Sequence, residues 1–298
     1  MGFAGSANPF FLNMEKISIG IQKSGRLSEK SLALLKEAGI SLANGSRKLL
    51  ATSLNFPLEA VFLRDDDIPQ YVFDGVTDLG IVGENVVKEK GHELELVERL
   101  GFARCRMSIA LPKSVKYRGP EQLSGKRIAP SYPKILGNFL KERGLKAEIH
   151  VISGSVEIAP GIGLADAIFD IVSTGSTLVS NGLKEAEVVM ESEAVLVARP
   201  GLDEARRKIL DSLLFRIRAV RRSRDNKYIL LNAPNEKLDE IVKVIPGMKS
   251  PTIMPLAEEG WSSVHSVLNE NEFWEVIGRL RDLGAQGILV IPIEKMIT

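Results

Sequence analysis

The sequence has one cysteine, Cys105, and three histidines, His92, His150 and His265, in 298 residues. A single thiol excludes an internal disulfide framework. So few soft ligands, so widely scattered, argue against a structural zinc site and against a Ser/His/Asp or Cys/His triad. A reducing, cytoplasmic compartment is the expectation. Charge of one sign is equally scarce, since 39 Lys and Arg against 38 Asp and Glu leave a net +1. A chain so balanced is not built mainly to hold nucleic acid or an acidic membrane. No apolar run approaches the roughly 20 residues that span a bilayer. Met1 to Phe11 carry neither the basic region nor the apolar run of an export leader. Residues 1–13 are expected to be a loose extension without chemistry, with Met14 just ahead of the first strand. No internal repeat and no low-complexity tract is visible.

What is present is an alternation of short β-branched runs with amphipathic segments, which predicts α/β layers. Strands are expected at Lys16–Ile21, Leu58–Leu63, Leu79–Val82 and Arg106–Leu111, with helices at Leu27–Ala38 and Asp66–Asp74. A second unit is expected after Pro112, with strands at Arg127–Ala129, Glu148–Ile152 and Ala167–Val172 and a helix at Lys134–Arg143. A long helix from Leu202 to about Arg222 runs into Arg221, Arg222 and Arg224, a cluster expected as a solvated face or linker. From Lys227 onward the pattern changes. Strands at Tyr228–Asn232, Thr252–Leu256, Ser263–Leu268 and Gly287–Ile291 alternate with helices at Lys237–Ile245, stopped by Pro246-Gly247, and Glu272–Leu283. The order βαββαβ predicts a ferredoxin-like module.

Asp170-Ile171-Val172-Ser173-Thr174-Gly175-Ser176-Thr177-Leu178 carries the most chemistry. A buried strand delivers an acid, then small hydroxyl residues around a glycine, then a helix start. Backbone N–H groups and hydroxyls so placed converge on an anion, and the glycine permits close approach. Asp170 suits ribose hydroxyls, or magnesium directly or through water. An ordinary helix cap uses the same residue types. Gln22-Lys23-Ser24-Gly25-Arg26-Leu27 lies at the carboxyl end of the first strand, where α/β sheets bind ligands. Lys23 and Arg26 there suit phosphate, or are incidental charges of a solvated loop. Asp65, Asp66 and Asp67 are expected as helix-start acids more than as metal ligands. Asp78-Leu79-Gly80-Ile81-Val82-Gly83-Glu84-Asn85 is another strand running into a glycine turn and a helix, and suits a cleft wall opposite the first loop, or is merely structural. Glu157 engages substrate or caps a helix; Tyr132 stacks on a base or packs the core.

Together these segments resemble the ATP phosphoribosyltransferase family in its long, self-regulated form. The matching stretches are Gln22–Leu27, Arg64–Pro69, Asp74–Asn85, Gly154–Pro160, Gly163–Leu178, Asn181–Leu183, Pro246–Thr252 and Ile291–Met296, in order along nearly the whole chain. The resemblance implies a catalytic body of two α/β domains similar to periplasmic binding proteins, 14–112 with 194–224, and 113–193. A ferredoxin-like regulatory domain would follow at 225–298. The implied reaction moves phosphoribosyl from phosphoribosyl pyrophosphate to N1 of ATP, with Mg2+, as the first step of histidine biosynthesis. Lys23, Arg26, Asp170 and Glu157 are the implied catalytic residues, Asp170 also the possible metal contact. Ser173, Thr174, Gly175, Ser176, Thr177, Gly83, Glu84 and Tyr132 are the implied substrate contacts.

Histidine, as feedback inhibitor, would meet Thr252, Asn232 and Gly287. The chain would form a homo-oligomer moving between dimer and hexamer, with no nucleic-acid or membrane partner. One departure is Pro130, in Ala129-Pro130-Ser131-Tyr132, where the family pattern has a threonine; proline brings neither hydroxyl nor N–H. Two rival readings share the cleft fold, a solute-binding protein and a catalytically silent regulatory subunit.

Overall fold

The computed structural model describes residues 15–43, 49–152, 154–245 and 247–297, so the extension at 1–13, Met14 and Pro246 lie outside the described residues. The chain forms two compact units. One holds residues up to Lys36 together with Ile40–Leu210; the other holds Glu37–Gly39 and everything from Asp211 on.

In the first unit the chain runs through β1 (Ile17–Gln22), α1 (Arg26–Glu37), β2 (Leu50–Thr52), β3 (Leu58–Leu63), α2 (Ile68–Phe73), β4 (Leu79–Gly83), α3 (Glu84–Lys90) and β5 (Glu95–Arg99). It continues through β6 (Cys105–Pro112), β7 (Arg127–Pro130), α4 (Pro133–Glu142), β8 (Glu148–Ile149), β9 (Ala167–Val172), α5 (Ser176–Ser180), β10 (Leu183–Ser192) and β11 (Ala194–Ala198). Two sheets result, β2-β3-β1-β4-β11-β5 and β10-β6-β9-β7-β8, the first and second lobes.

Apart from β2, the two sheets are wired alike. In each, the lobe's second strand, first strand and third strand are parallel neighbours (β3-β1-β4 and β8-β7-β9). Next comes one antiparallel strand, β11 or β6, and beyond it a fourth, β5 or β10. The shared wiring is a duplication of topology where the sequence shows no repeat. It is the two-lobed α/β architecture of periplasmic binding proteins.

The antiparallel strand follows each passage of the chain from one lobe to the other. That accounts for a difference from the sequence expectation. Arg106–Leu111 was expected to close the first unit, yet β6 is hydrogen-bonded between β9 and β10 in the second sheet. Local patterning reports that a segment is extended, not which sheet receives it. The strand expected at Glu148–Ile152 is cut to two residues.

Burial explains the placement of the central strands. β11 is buried at all five positions and β4 at four of five, as central strands of a mixed sheet covered on both faces are. At Gly80, a Cβ would lie 2.6 Å from Ile68 Cγ2 and 3.0 Å from Val72 Cγ2, so glycine is what lets α2 settle on β4.

The helix α6 (Glu204–Arg224) leads to the second unit with Asp225 alone between it and β12 (Asn226–Pro234), so no linker follows the arginine cluster. Arg224 pairs with Glu37 at 3.0 Å. Then come α7 (Leu238–Val244), β13 (Thr252–Pro255), β14 (Trp261–Asn269), α8 (Glu270–Asp282) and β15 (Gln286–Pro292). The sheet order β13-β14-β12-β15 is the ferredoxin-like arrangement that the βαββαβ pattern predicts. Ile229, Leu231, Ala233 and Val264 face the helices and pack with Ile241, Phe273 and Leu280. No helix among the described residues is long and apolar enough to cross a membrane.

Candidate active site

The site is assembled from strand ends. Because β3, β1 and β4 are parallel, their carboxyl ends share one edge of the first sheet. That edge gathers Lys23 and Arg26 after β1, Arg64 to Asp67 after β3, and Gly83-Glu84 at the end of β4. The Lys23 N–H donates to the Leu63 carbonyl at 2.7 Å, which ties the first loop to the end of β3. Gly25, at φ 96°, turns the chain so that α1 starts at Arg26. Lys23 and Arg26 are both exposed.

On the second sheet, β7 and β9 are parallel and deliver Ser131-Tyr132 and Asp170 side by side. The Ser131 N–H donates to the Phe169 carbonyl at 2.9 Å. Past β9 the loop turns at Gly175, φ 80°, into the five-residue helix α5. Ser173, Thr174, Ser176 and Thr177 are all exposed there, with the Thr174 and Ser176 hydroxyls 3.1 Å apart. Glu157 sits on a single 3₁₀ turn, Val156–Ile158, entered through Ser155 at φ 50°.

Electrostatics joins these pieces. Burial raises the Asp170 carboxyl above its ordinary range, and the charge of Glu157 adds to that. Hydrogen bonds from the Ile171 N–H and the Ser131 hydroxyl partly offset it. Burial also pushes the Tyr132 phenol up, helped by the charge of Asp170 and then of Asp66 and Asp65. Asp170 belongs to the second lobe and the other two to the first. Tyr132 packs, partly buried, against the second-lobe core that holds Phe139 and Phe169 and feels the charge of acids from both lobes. No group of three or more His, Cys, Asp or Glu is arranged to hold a metal ion among the described residues.

A cavity of about 470 Å³ adjoins the loop at Ser173 and is lined also by Glu84, Arg99, Arg104, Arg106 and Glu191. Glu84, an expected substrate contact, lines this cavity and is engaged by Arg99. The side chain is buried, and Arg99 grips both its oxygens, Nη2 donating to Oε1 at 2.9 Å and Nη1 to Oε2. Arg99, with Lys88 behind it, holds the Glu84 carboxyl below the usual carboxylate range. Glu84 thus anchors Arg99 at the cavity wall. Arg106 is fixed in the same way by Glu185, at 2.8 and 2.9 Å, with the Ser108 hydroxyl donating to the same carboxylate at 2.6 Å.

Neither arginine was singled out from the sequence. Their partners lie 15 and 79 residues away, so no short motif marks them. Asp78, inside a segment expected to line the cleft, sits at the amino end of β4 instead. It accepts from Ser18 N and Oγ at 2.9 Å each and from Arg199 Nε at 3.0 Å. It braces the sheet away from the ligand edge. His92 stacks on Phe73 and His150 lies 3.3 Å from Glu148.

In the second unit, Asn232 and Gly287 are neighbours: a Cβ on Gly287, φ 57°, would lie 3.3 Å from Asn232 Nδ2. Thr252 pairs with His265 at the far edge of that sheet and is exposed. His265 accepts or donates at 2.7 Å with Tyr228 and at 3.0 Å with Ser263.

A duplicated two-lobed α/β fold, with a hydroxyl-rich glycine loop and a carboxylate on one strand edge and exposed Lys23 and Arg26 on the other, defines a class. It is a cleft protein equipped for a phosphorylated ligand, carrying a separate ferredoxin-like unit. Residues 64–219 match the ATP phosphoribosyltransferase family and residues 223–295 match the HisG C-terminal domain. The ATP phosphoribosyltransferase of Bacteroides thetaiotaomicron is 60% identical over 281 residues, 94% of this chain and 99% of that protein. That of Parabacteroides distasonis is 61% identical over the same length. Among solved structures, the ATP phosphoribosyl transferase (HisG:HisZ) complex from Thermotoga maritima contains a similar chain, 30% identical with a TM-score of 0.58, covering 68% of this chain and 98% of that one. The chain belongs to the ATP phosphoribosyltransferase family, and its C-terminal domain marks the long form.

Proposed function

We propose that this chain is the histidine-regulated transferase of its family, with its chemistry at the two facing strand edges. N1 of the ATP adenine attacks the anomeric carbon of phosphoribosyl pyrophosphate. The N1–C1 bond forms as the C1–O bond to pyrophosphate breaks, and pyrophosphate leaves with that electron pair. A neutral ring nitrogen needs no strong base. The barrier lies in the cation-like sugar and the concentrated charge of the leaving group, so positioning and electrostatics supply the catalysis.

Ser173 to Thr177 hold the 5-phosphate with hydroxyls and backbone N–H groups, Gly175 permitting the approach. Asp170 and Glu157 hold the ribose side, Lys23 and Arg26 receive polyphosphate charge, and Tyr132 closes over the base. Gly83 leaves room at the opposite wall, while Glu84 acts through Arg99. Mg2+ bound to the pyrophosphate would neutralise leaving-group charge. The donor set fits: Mg2+ keeps waters and uses one or two carboxylates plus substrate phosphates. Asp170 is the carboxylate at the site that would meet it, directly or through water. In the second unit Thr252, Asn232 and Gly287 receive histidine as feedback inhibitor. The setting is cytoplasmic, and the assembly is a homo-oligomer exchanging between dimer and hexamer, with no membrane or nucleic-acid partner.

The observation that carries the reading is the placement of a half-buried Asp170, its carboxyl raised by burial and by Glu157, at the end of β9 just before the exposed Ser173–Thr177 loop. Asp170→Asn tests it. The KM for phosphoribosyl pyrophosphate is expected to rise about tenfold while ATP binding is unchanged; unchanged kinetics would remove Asp170 from the site.

A further inference from the structure

The start of α4 shows an unusual division of labour. A helix leaves its first N–H groups without intrahelical partners, and a side chain at the N-cap ordinarily takes them. Here the N-cap is Tyr132, whose side chain caps nothing. Pro133 has no N–H to satisfy, and the helical ladder begins with the Leu136 N–H on the Tyr132 carbonyl at 3.2 Å. Two donors remain, on Lys134 and Ile135. Both go to Glu89, at 2.9 Å to Oε1 and 3.0 Å to Oε2. Glu89 is not local: it lies on α3, in the other lobe.

The arrangement is reciprocal. Lys134 Nζ reaches back and donates at 3.2 Å to the Lys90 carbonyl, at the C-terminal end of α3. It lies over Gly91, the left-handed residue at φ 69° that terminates α3, in the space a Cβ would take. An acid thus sits on the positive end of one helix and a base on the negative end of the other, the favourable sense at both ends. Each hydrogen bond involves a charged group and is correspondingly strong. The residue just before this junction is Tyr132, whose phenol is raised by the charge of Asp170 in its own lobe and of Asp66 and Asp65 in the other.

We infer that Glu89 is a positioning residue, a latch that caps α4 across the lobes and biases them toward the arrangement in which Tyr132 and Asp170 face the first lobe. Separating the lobes strips two backbone donors and one carbonyl of their partners together. The sequence of α4 supplies no substitute cap. The latch acts on the population of the competent arrangement and touches neither reacting atom.

Hydrogen exchange on the full-length protein without substrates, comparing wild type with Glu89→Ala and Glu89→Gln, decides this. Faster exchange is expected in Glu89→Ala at 131–136 and also across the junction at 65–70, with Glu89→Gln, which keeps one acceptor oxygen, in between. A rise confined to 131–136 would reduce Glu89 to an ordinary cap and overturn the latch. A kinetic arm rests on the reaction proposed above. There, Glu89→Ala is expected to raise the KM of both substrates about fivefold with kcat within about twofold, since only the competent fraction changes. A fall in kcat with unchanged KM contradicts it. Should wild type make no product, the proposed reaction fails while the exchange arm still decides the latch.

Discussion

Tyr132 and Asp170 come from neighbouring parallel strands at the carboxyl edge of the second sheet, and after burial it is the Asp170 charge that most raises the Tyr132 phenol. The pair is set by register, since β7 and β9 run parallel with Pro130 opposite Phe169, so each strand's next residues emerge at the same level. Tyr132→Phe keeps the ring that packs beside Phe139 and Phe169 and removes the hydroxyl. Its kcat/KM is expected to fall roughly tenfold, about 1.4 kcal/mol, with little change in thermal midpoint. A loss of stability with normal kinetics would make Tyr132 a packing residue only.

The raised carboxyl of Asp170 has a consequence for stability. Burial and Glu157 disfavour the charged form in the folded protein, so near the carboxylate range the native state binds more protons than the unfolded one. Stability from this group is then present below the unfolded carboxylate value and is lost as pH rises through the folded one. Asp170→Asn is therefore expected to melt at or above the wild-type temperature at neutral pH, with the difference shrinking on acidification. Calorimetry across that range checks the sign. A site residue whose removal stabilises the protein while weakening substrate binding is strained for function.

How much of this was legible beforehand differs by element. The parallel strands Leu58–Leu63 and Ala167–Val172 read directly as short β-branched runs, and the terminal module read correctly as βαββαβ because each of its elements is local. β10 gave no clear period, since register irregularities between Glu185 and Glu187 and between Val188 and Met190 break the alternation. β11 is apolar at every position, a pattern that does not separate a buried strand from other buried structure. The loop after β9 was visible because its hydroxyls, glycine and acid are contiguous. Arg99, Arg106 and Glu89 were not, because each acts through a partner fixed only by tertiary structure.

Asp78 separates structure from catalysis. Its carboxylate is buried and accepts from Ser18 and Arg199 at the sheet end remote from the ligand edge. Asp78→Ala leaves the half-buried Arg199 guanidinium and the Ser18 backbone donor without this carboxylate and is expected to cost about 1–3 kcal/mol. Denaturant titration reads that loss, and the folded fraction should retain wild-type KM values. A change in KM at normal stability would place Asp78 in the ligand site.

Regulation is expected to be separable as well. Asn232→Ala and Thr252→Ala should each weaken histidine binding at least tenfold by titration calorimetry, with kcat and both KM values within about twofold in the absence of histidine. Retained inhibition in both variants would move the effector site away from the open face of β12 and β13.

The most direct test is to mix the purified chain with ATP, phosphoribosyl pyrophosphate and magnesium, with and without histidine, and follow phosphoribosyl-ATP by absorbance alongside pyrophosphate release. Product and pyrophosphate appearing together in equal amounts, and both suppressed by histidine, is the expected result. Absence of both, in a sample that still binds the substrates, would contradict catalysis by this chain and return it to a binding or regulatory role.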